Sequence, residues 1–226
     1  MSEQKVIAHS FQTTVPAVMA HPHLFEPQAF KRKGKEAGEP KYGASVVLDP
    51  NGPDFANLKA EVAKAIKAKW PGRELKGFKV PWTAGDKLHE KYVAKRKAGG
   101  KADDGKADFQ KGMMVLKGSS KYRPKLAVVE GGDLIDVTEQ NTALHKGKFY
   151  FGVQALVKVN LVAYDRINED AQDGVTAYLD MVVSLNKGER LTGGPSAAET
   201  FKGVVGSLSA EDPTAGQNVS DEDDFG

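Results

Sequence analysis

Few side chains in this sequence have the means to do chemistry, and their spacing argues against catalysis. His21-Pro22-His23 is the one close histidine pair. Its imidazoles could ligate a metal, but the chain has no cysteine and offers no third ligand nearby, so these histidines read as surface or strand-end residues. Gly99-Gly100-Lys101 lacks the spacing, the hydroxyl after the lysine and the preceding strand of a phosphate-cradling loop. No Gly-x-Ser-x-Gly elbow occurs. Asp103-Asp104 and Asp223-Asp224 could hold Mg²⁺ through hard oxygens, yet they lie in glycine-flanked stretches where a nuclease needs rigid elements. The expectation is a protein with no catalytic residue, no metal and no cofactor.

A binding chemistry is better supplied. Single-stranded nucleic acid is held by a cationic groove that follows phosphates and by exposed rings on which bases stack. Here the two ingredients interleave: Tyr42 follows Lys41, Trp82 and Tyr92 bracket Lys87 and Lys91, Phe109 lies near Lys106 and Lys111, Tyr122 sits between Lys121 and Arg123, and Tyr150 follows Lys148. A Lys-Tyr-Arg-Pro tip is too polar to bury cheaply, which makes Tyr122 a stacking candidate. Phe78, Phe149 and Phe151 read as core. The candidate nucleic-acid contacts are the cations Lys31, Arg32, Lys33, Lys91, Lys95, Arg96, Lys97, Lys117, Lys121, Arg123, Lys125 and Lys158, the amide of Asn160, and the rings of Trp82, Tyr92, Tyr122 and Tyr150.

Charge separates along the chain. Residues 1 to 202 contain all 32 Lys and Arg but only 24 of the 30 Asp and Glu, a formal charge of +8, whereas the whole chain reads +2. The difference is Glu211, Asp212, Asp221, Glu222, Asp223 and Asp224. A basic body with an acidic tail suggests a polyanion binder that carries a weak mimic of its ligand. With 226 residues, 40% hydrophobic and 27% charged, the chain can bury one substantial core. It has no apolar run near the ~20 residues that span a bilayer, and Met1-Ser2-Glu3-Gln4-Lys5 lacks a secretion pattern. A cytoplasmic protein without a membrane partner is expected.

The elements that must position these residues are mostly strands. Val46-Val47-Leu48 reads as a strand ended by Asp49-Pro50-Asn51-Gly52-Pro53. Phe55, Leu58, Val62 and Ile66 then mark one face of an amphipathic helix closed by Trp70-Pro71-Gly72, with Lys59, Lys64, Lys67 and Lys69 off that stripe. The basic stretches Lys31 to Lys35 and Lys87 to Lys106 lack apolar periodicity, so exposed loops are expected, the second open to helix as far as Lys97. Met113 to Gly118 and Lys125 to Val129 suit two antiparallel strands around a short polar connection. Phe149 to Tyr164 and Val175 to Leu185 alternate as long strands, the first offering Tyr150, Lys158 and Asn160 on its outer face. The fold class expected is mainly β: a small Greek-key barrel, of the oligonucleotide-binding (OB-fold) kind by the family resemblance that follows, with one inserted amphipathic helix, long basic loops and a disordered acidic C-terminal tail. Residues 1–202 would form the binding domain and 203–226 the tail.

Three stretches carry a resemblance: Met114-Val115-Leu116-Lys117-Gly118-Ser119-Ser120-Lys121-Tyr122-Arg123-Pro124, then Phe149-Tyr150-Phe151-Gly152-Val153 running to Tyr164, then Gly174-Val175-Thr176-Ala177-Tyr178-Leu179. Gly188-Glu189-Arg190-Leu191 and Phe201 add to it, with a weaker match from Gly43 to Asp49. In these the chain resembles the single-stranded DNA-binding proteins of tailed bacteriophages, the group with one OB barrel and an acidic tail. The resemblance implies sequence-independent binding of single-stranded DNA during phage replication and recombination in the bacterial host cytoplasm. It also implies that Asp221, Glu222, Asp223, Asp224 and Phe225 recruit phage or host replication proteins. Related tails end on the aromatic residue itself, whereas here Gly226 follows Phe225.

The mechanism expected places Lys117, Ser119, Arg123, Lys125, Tyr150, Lys158 and Asn160 in one groove, closed on one side by the Lys87 to Lys106 loop, with bases stacked on Tyr122, Trp82 and Tyr150. The tail would compete for that groove, and its removal would tighten DNA binding and add weak duplex affinity. Two further classes share some of these features. A duplex- or RNA-binding accessory protein would lean less on stacking, and a recombination mediator or scaffold would act through the tail.

Overall fold

The computed structural model describes residues 9–191 apart from 30, 33–34, 37, 75, 167–168 and 170, and of residues 31–32 and 35–36 only the backbone. The acidic tail, including residues 203–226, and Lys33 therefore lie outside the described residues. In chain order the strands and helices are β1 (His9–Gln12), β2 (Ala17–Gln28), β3 (Lys31–Arg32), β4 (Lys35–Glu36), β5 (Lys41–Leu48), α1 (Pro53–Lys69), β6 (Trp82–Ala84), α2 (Gly85–Ala98), β7 (Met114–Ser120), β8 (Lys125–Glu130), β9 (Asp133–Asp136), α3 (Thr142–His145), β10 (Gln154–Tyr164) and β11 (Gly174–Ser184).

The pairings close a ring. β2 pairs with β5, β5 with β7, β7 with β11, β11 with β10, and β10 returns to β2 through Gln154↔Val18 and Ala155↔Ala17. Numbered along the ring's own strands, the order is first, second, third, fifth, fourth, with the third and fifth parallel at Gly118↔Ala177. This is the expected five-stranded Greek-key barrel. Its interior follows from period-2 alternation: Val157, Val159 and Leu161 of β10 and Val175, Ala177 and Leu179 of β11 are buried together with Met19, Val46 and Leu116.

Helix α1 sits between the second and third ring strands. Phe55, Leu58, Val62 and Ile66 are buried as their spacing requires, each contributing about 2 kcal/mol of apolar burial. Pro53 suits the first helical position, and Asp54 in the first turn is buried but satisfied. It accepts hydrogen bonds from Thr14 N–H (3.0 Å), Thr14 Oγ1–H (2.6 Å) and Val15 N–H (3.0 Å), anchoring the β1–β2 connection. At the other end Trp70 Nε1–H donates to Asp165 (3.2 Å), and Arg73 bridges Asp173 at 2.7 Å, which ties the β10–β11 loop to the helix.

Two local expectations are corrected. Strands β7 and β8 do not form an antiparallel hairpin. β10 occupies one edge of β11 along its whole length, so β7 and β8 share the other edge, both parallel to β11. They are one long strand interrupted at residues 121–124. None of residues 119–125 takes the positive φ of the tight primed turns, so the chain bulges outward instead of reversing. The true hairpin is β8–β9, turned by Gly131 and Gly132 at φ 60° and 98°. The second concerns the basic stretch from Lys87: the helix allowed as far as Lys97 does form, as α2 from Gly85 to Ala98, and only the residues after it are left to loop and turn. Its Leu, Glu, Lys, Ala and Arg content favours helix without an apolar face. Asp86 in the first turn and Lys95, Arg96 and Lys97 in the last complement the helix dipole. Within the other basic stretch, β3 (Lys31–Arg32) and β4 (Lys35–Glu36) pair antiparallel with Arg32↔Lys35 in register.

Candidate nucleic-acid interface

The outer face of β5, β7 and β11 is concave. Three hollows lie on it and share residues, so they form one continuous surface. The largest, about 890 Å³, is lined by His21, His23, Lys41, Tyr42, Ser45, Lys117, Ser119 and Lys121, together with Gln28, Gly38 and Glu39 from the β2–β5 connection. The next, about 570 Å³, shares Lys41 and Lys121 and adds Tyr122, Arg123, Lys125, Asn160, Tyr178 and Asp180. The third shares Lys117 and Ser119 and extends past Thr83 and Lys79 to Tyr164 and Thr176. In five-stranded barrels of this order, the second and third strands and the loop after the first make the oligonucleotide face.

Local sequence places these groups. In β7 the buried Gly118 and Ser120 alternate with Lys117 and Ser119, which must point outward. Gly118 suits a close approach: a Cβ there would meet Leu179 at 3.3 Å and Val159 at 3.4 Å, tight contacts that would press on the barrel interior. The bulge at 121–124 throws Tyr122 clear of the barrel. Its side chain is 82% exposed, and its N–H is held by Ser120 Oγ at 3.0 Å. Tyr178, 41% exposed, faces the same hollow, and these two are the exposed aromatic residues among those described.

Charge on the face is mostly uncompensated. Lys121 bridges Glu39 at 2.5 Å, which lowers the Glu39 carboxyl and raises the Lys121 ammonium relative to their ordinary values. Lys158 bridges Asp180 at 3.4 Å. Lys41, Lys117 and Lys125 carry no ion pair among the described residues, and a phosphate chain could neutralise them without first breaking one.

Of the residues nominated from sequence, Lys117, Lys121, Tyr122, Arg123, Lys125 and Asn160 meet on this surface. The Arg123 guanidinium is partly committed, donating to Thr142 Oγ1 (3.1 Å) and resting 5.3 Å from the Phe25 ring centre. Lys158 stands beside the hollow through its bridge to Asp180. Other nominees lie elsewhere. Trp82 packs edge-on against Phe55 at 5.4 Å, because Thr83 takes the groove side of β6 and its neighbour must take the other. Tyr150 donates to the Gly188 carbonyl (2.8 Å) beneath the Arg190 guanidinium, 4.3 Å from its ring centre. Tyr92 and Arg96 both hold Asp104, at 2.9 and 3.1 Å, and clamp the turn after α2. Lys91, Lys95 and Lys97 are exposed on α2 and line none of the three hollows. The side chains of Lys31 and Arg32 are not described, and Asp221, Glu222, Asp223, Asp224 and Phe225 lie outside the described residues.

Sequence reasoning noted Lys41 beside Tyr42 without nominating it as a contact, weighed His21 and His23 only as metal ligands, and did not nominate Tyr178. Tyr178 had a signal: with Val175, Ala177 and Leu179 inward, the same alternation puts Thr176, Tyr178 and Asp180 outward. The histidines had none beyond their pairing. A separate cluster of His89, Asp103 and Asp108 brings ligand-type atoms within 4.8 Å of one another. Asp108 is already bridged by Lys111 at 2.7 Å and bonded by His89 at 3.0 Å, and the cluster works as an internal clasp between α2 and the following turn.

A family model described as Enterobacter phage Enc34, ssDNA-binding protein, matches residues 13–214. The chain belongs to that family. The Enc34-type fold is evident in solved structures too. The single-stranded DNA-binding protein from bacteriophage Enc34 superposes with a TM-score of 0.56 at 15% identity, covering 87% of this chain and 94% of that one. The same protein in complex with ssDNA gives 0.55 at 15%, covering 84% and 99%. The bacteriophage T7 single-stranded DNA-binding protein gives 0.47 at 14%, covering 86% and 94%. No curated protein matches. Members of the Enc34-type family and its structural neighbours are named as binding proteins, not as enzymes.

Proposed function

We propose that this protein binds single-stranded DNA without sequence preference in the groove across β5, β7 and β11. The carrying observation is that Lys41, Lys117, Lys121 and Lys125 converge on the one concave surface that also presents the rings of Tyr122 and Tyr178. Cations there follow the phosphates and the rings stack bases, a pairing that tolerates any sequence because every base has a π-face. Membership of the Enc34-type family supports the same reading. In this account residues 1–202 form the binding domain, and the protein serves DNA replication and recombination in a phage-infected bacterial cytoplasm. Asp221 to Asp224 and Phe225 recruit replication proteins and, when DNA is absent, compete for the groove at a local concentration on the order of millimolar.

The test is a titration of dT oligomers and of duplex DNA at two salt concentrations, with the full chain and with a chain lacking residues 211–226. Single strands are expected to bind tighter than duplex, with log K falling about 0.7 per log salt for each phosphate neutralised. The shortened chain is expected to bind single strands more tightly at low salt and to gain some duplex affinity. Equal affinity of the full chain for single strands and duplex would overturn the proposal, and an unchanged affinity on shortening would remove the competition.

A further inference from the structure

His21 and His23 differ from the other histidines of the chain. His9, His89 and His145 each face a carboxylate: Glu61 at 3.8 Å, Asp108 at 3.0 Å and Glu130 at 2.9 Å. His21 and His23 have no carboxylate partner among the described residues, and both line the largest hollow of the groove beside Lys117. The other titratable groups lining that hollow are Lys41 and Tyr42 from β5, Lys121 after β7, and Glu39, which is spent on Lys121. Among the described residues the surroundings are therefore cationic, a setting suited to an anion.

The backbone points the same way. His21 adopts φ 49°, where the β2–β5 register shifts between Ala20 and His23, and its ring packs 4.7 Å from that of Phe151. Non-glycine residues rarely take such a φ, and a strained bulge that re-aims side chains is characteristic of functional surfaces. Burial, then His23, then Lys117 hold the His21 imidazole below its ordinary value, and burial lowers His23 as well. In the free protein at neutral pH both rings are therefore mostly uncharged.

We infer that His21 and His23, with Lys117, form a phosphate-binding subsite in the groove whose imidazoles gain protons as the DNA backbone enters. This rests on the single-strand reading above. A phosphate beside each ring favours the charged form, so affinity rises as pH falls through the range between the free and bound imidazole values. Each unit of separation between those values corresponds to a tenfold gain for each ring. Glu39, lowered, and Lys121, raised by the bridge between them, keep their charges across this range.

The experiment measures dT oligomer binding by fluorescence anisotropy from pH 5.5 to 8.5 at constant ionic strength, since thymine carries no group that titrates there. The wild type is expected to tighten about tenfold or more as pH falls. The double variant His21→Asn, His23→Gln, in which Asn tolerates the φ of residue 21, is expected to change less than about twofold over the same range. His23→Gln alone keeps the His21 bulge and is expected to lose part of the slope, which preserves the test if the double variant folds poorly. Lys117→Gln weakens binding and lowers the salt slope by about 0.7. Calorimetry near pH 6.5 in PIPES and in imidazole buffers reports the protons directly, with net uptake by the wild type and less by His23→Gln. A flat wild-type profile, or a slope unchanged in the variants, overturns the inference. Absence of dT binding by folded wild-type protein at every pH overturns the single-strand reading itself, and the inference with it.

Discussion

Removing the two rings that flank the second hollow isolates the stacking part of the affinity. Tyr122 is 82% exposed and Tyr178 41% exposed, so neither is needed to fill the core. Tyr122→Ala is expected to leave the melting temperature nearly unchanged, because surface substitutions of this kind shift stability by about 0.5 kcal/mol or less. Tyr178 lies within a barrel strand opposite Asn160, and its replacement by Ala costs about 1 kcal/mol of strand preference, small against the stability of a domain this size. A stacked base is worth about 1 to 3 kcal/mol, so each variant is expected to weaken dT binding about 5- to 150-fold. The losses multiply if the rings hold different bases and fall short of that product if they grip the same one. Anisotropy with a labelled dT oligomer supplies the affinities, and thermal unfolding supplies the control. Two folded variants that each bind within twofold of the wild type would refute stacking at this hollow.

Three further outcomes follow from the geometry. Lys125→Gln removes an exposed cation that has no ion pair among the described residues and is expected to reduce the slope of log K against log salt by about 0.7, with no change in melting temperature. Trp82→Ala is expected to cost about 3 kcal/mol in denaturant unfolding, toward the low end for a packed tryptophan, while the folded fraction keeps its DNA affinity. Asp173 is held below its ordinary value of 3.8, first by the Arg166 N–H and then by Arg73. Its folded value is the lower one, so the link it makes between the β10–β11 loop and α1 is fully present above pH 3.8 and is lost as pH falls through the folded value. Asp173→Asn is expected to lower the stability gap between pH 5 and pH 2, read by thermal unfolding at each pH.

The parts of this molecule legible from sequence are those where one periodicity dominates. Phe55, Leu58, Val62 and Ile66 could be nothing but one face of a helix, and the alternation in β10 and β11 determined which residues filled the barrel. Where the deciding interaction is nonlocal, the reading failed. Nothing near Tyr122 in sequence says that β11 has a free edge long enough to take both β7 and β8, so the interruption looked like a hairpin. Conversely Gly131-Gly132 was a turn signal of the strongest kind and was passed over. The basic stretch after Gly85 was legible as helix only as far as Lys97 and not as a fixed element, because that helix has no apolar face and its hold on the following turn runs through Tyr92, Arg96 and Asp104. Site residues behaved the same way. Tyr122 was identifiable because its neighbours could not be buried, whereas Trp82 next to a proline carried no information about which side of β6 it faces. His21 and His23 enter the groove only because the β2–β5 register shifts beneath them.

The proposed path of the DNA runs across β5, β7 and β11, not along α2. Amide chemical-shift mapping of isotope-labelled protein titrated with a dT oligomer tests it most directly. The account predicts that the largest changes fall on Lys41 to Ser45, Lys117 to Lys125 and Thr176 to Asp180, with the amides of Lys91 to Lys97 nearly unmoved. Changes concentrated on α2, with the β7 and β11 amides unaffected, would contradict it.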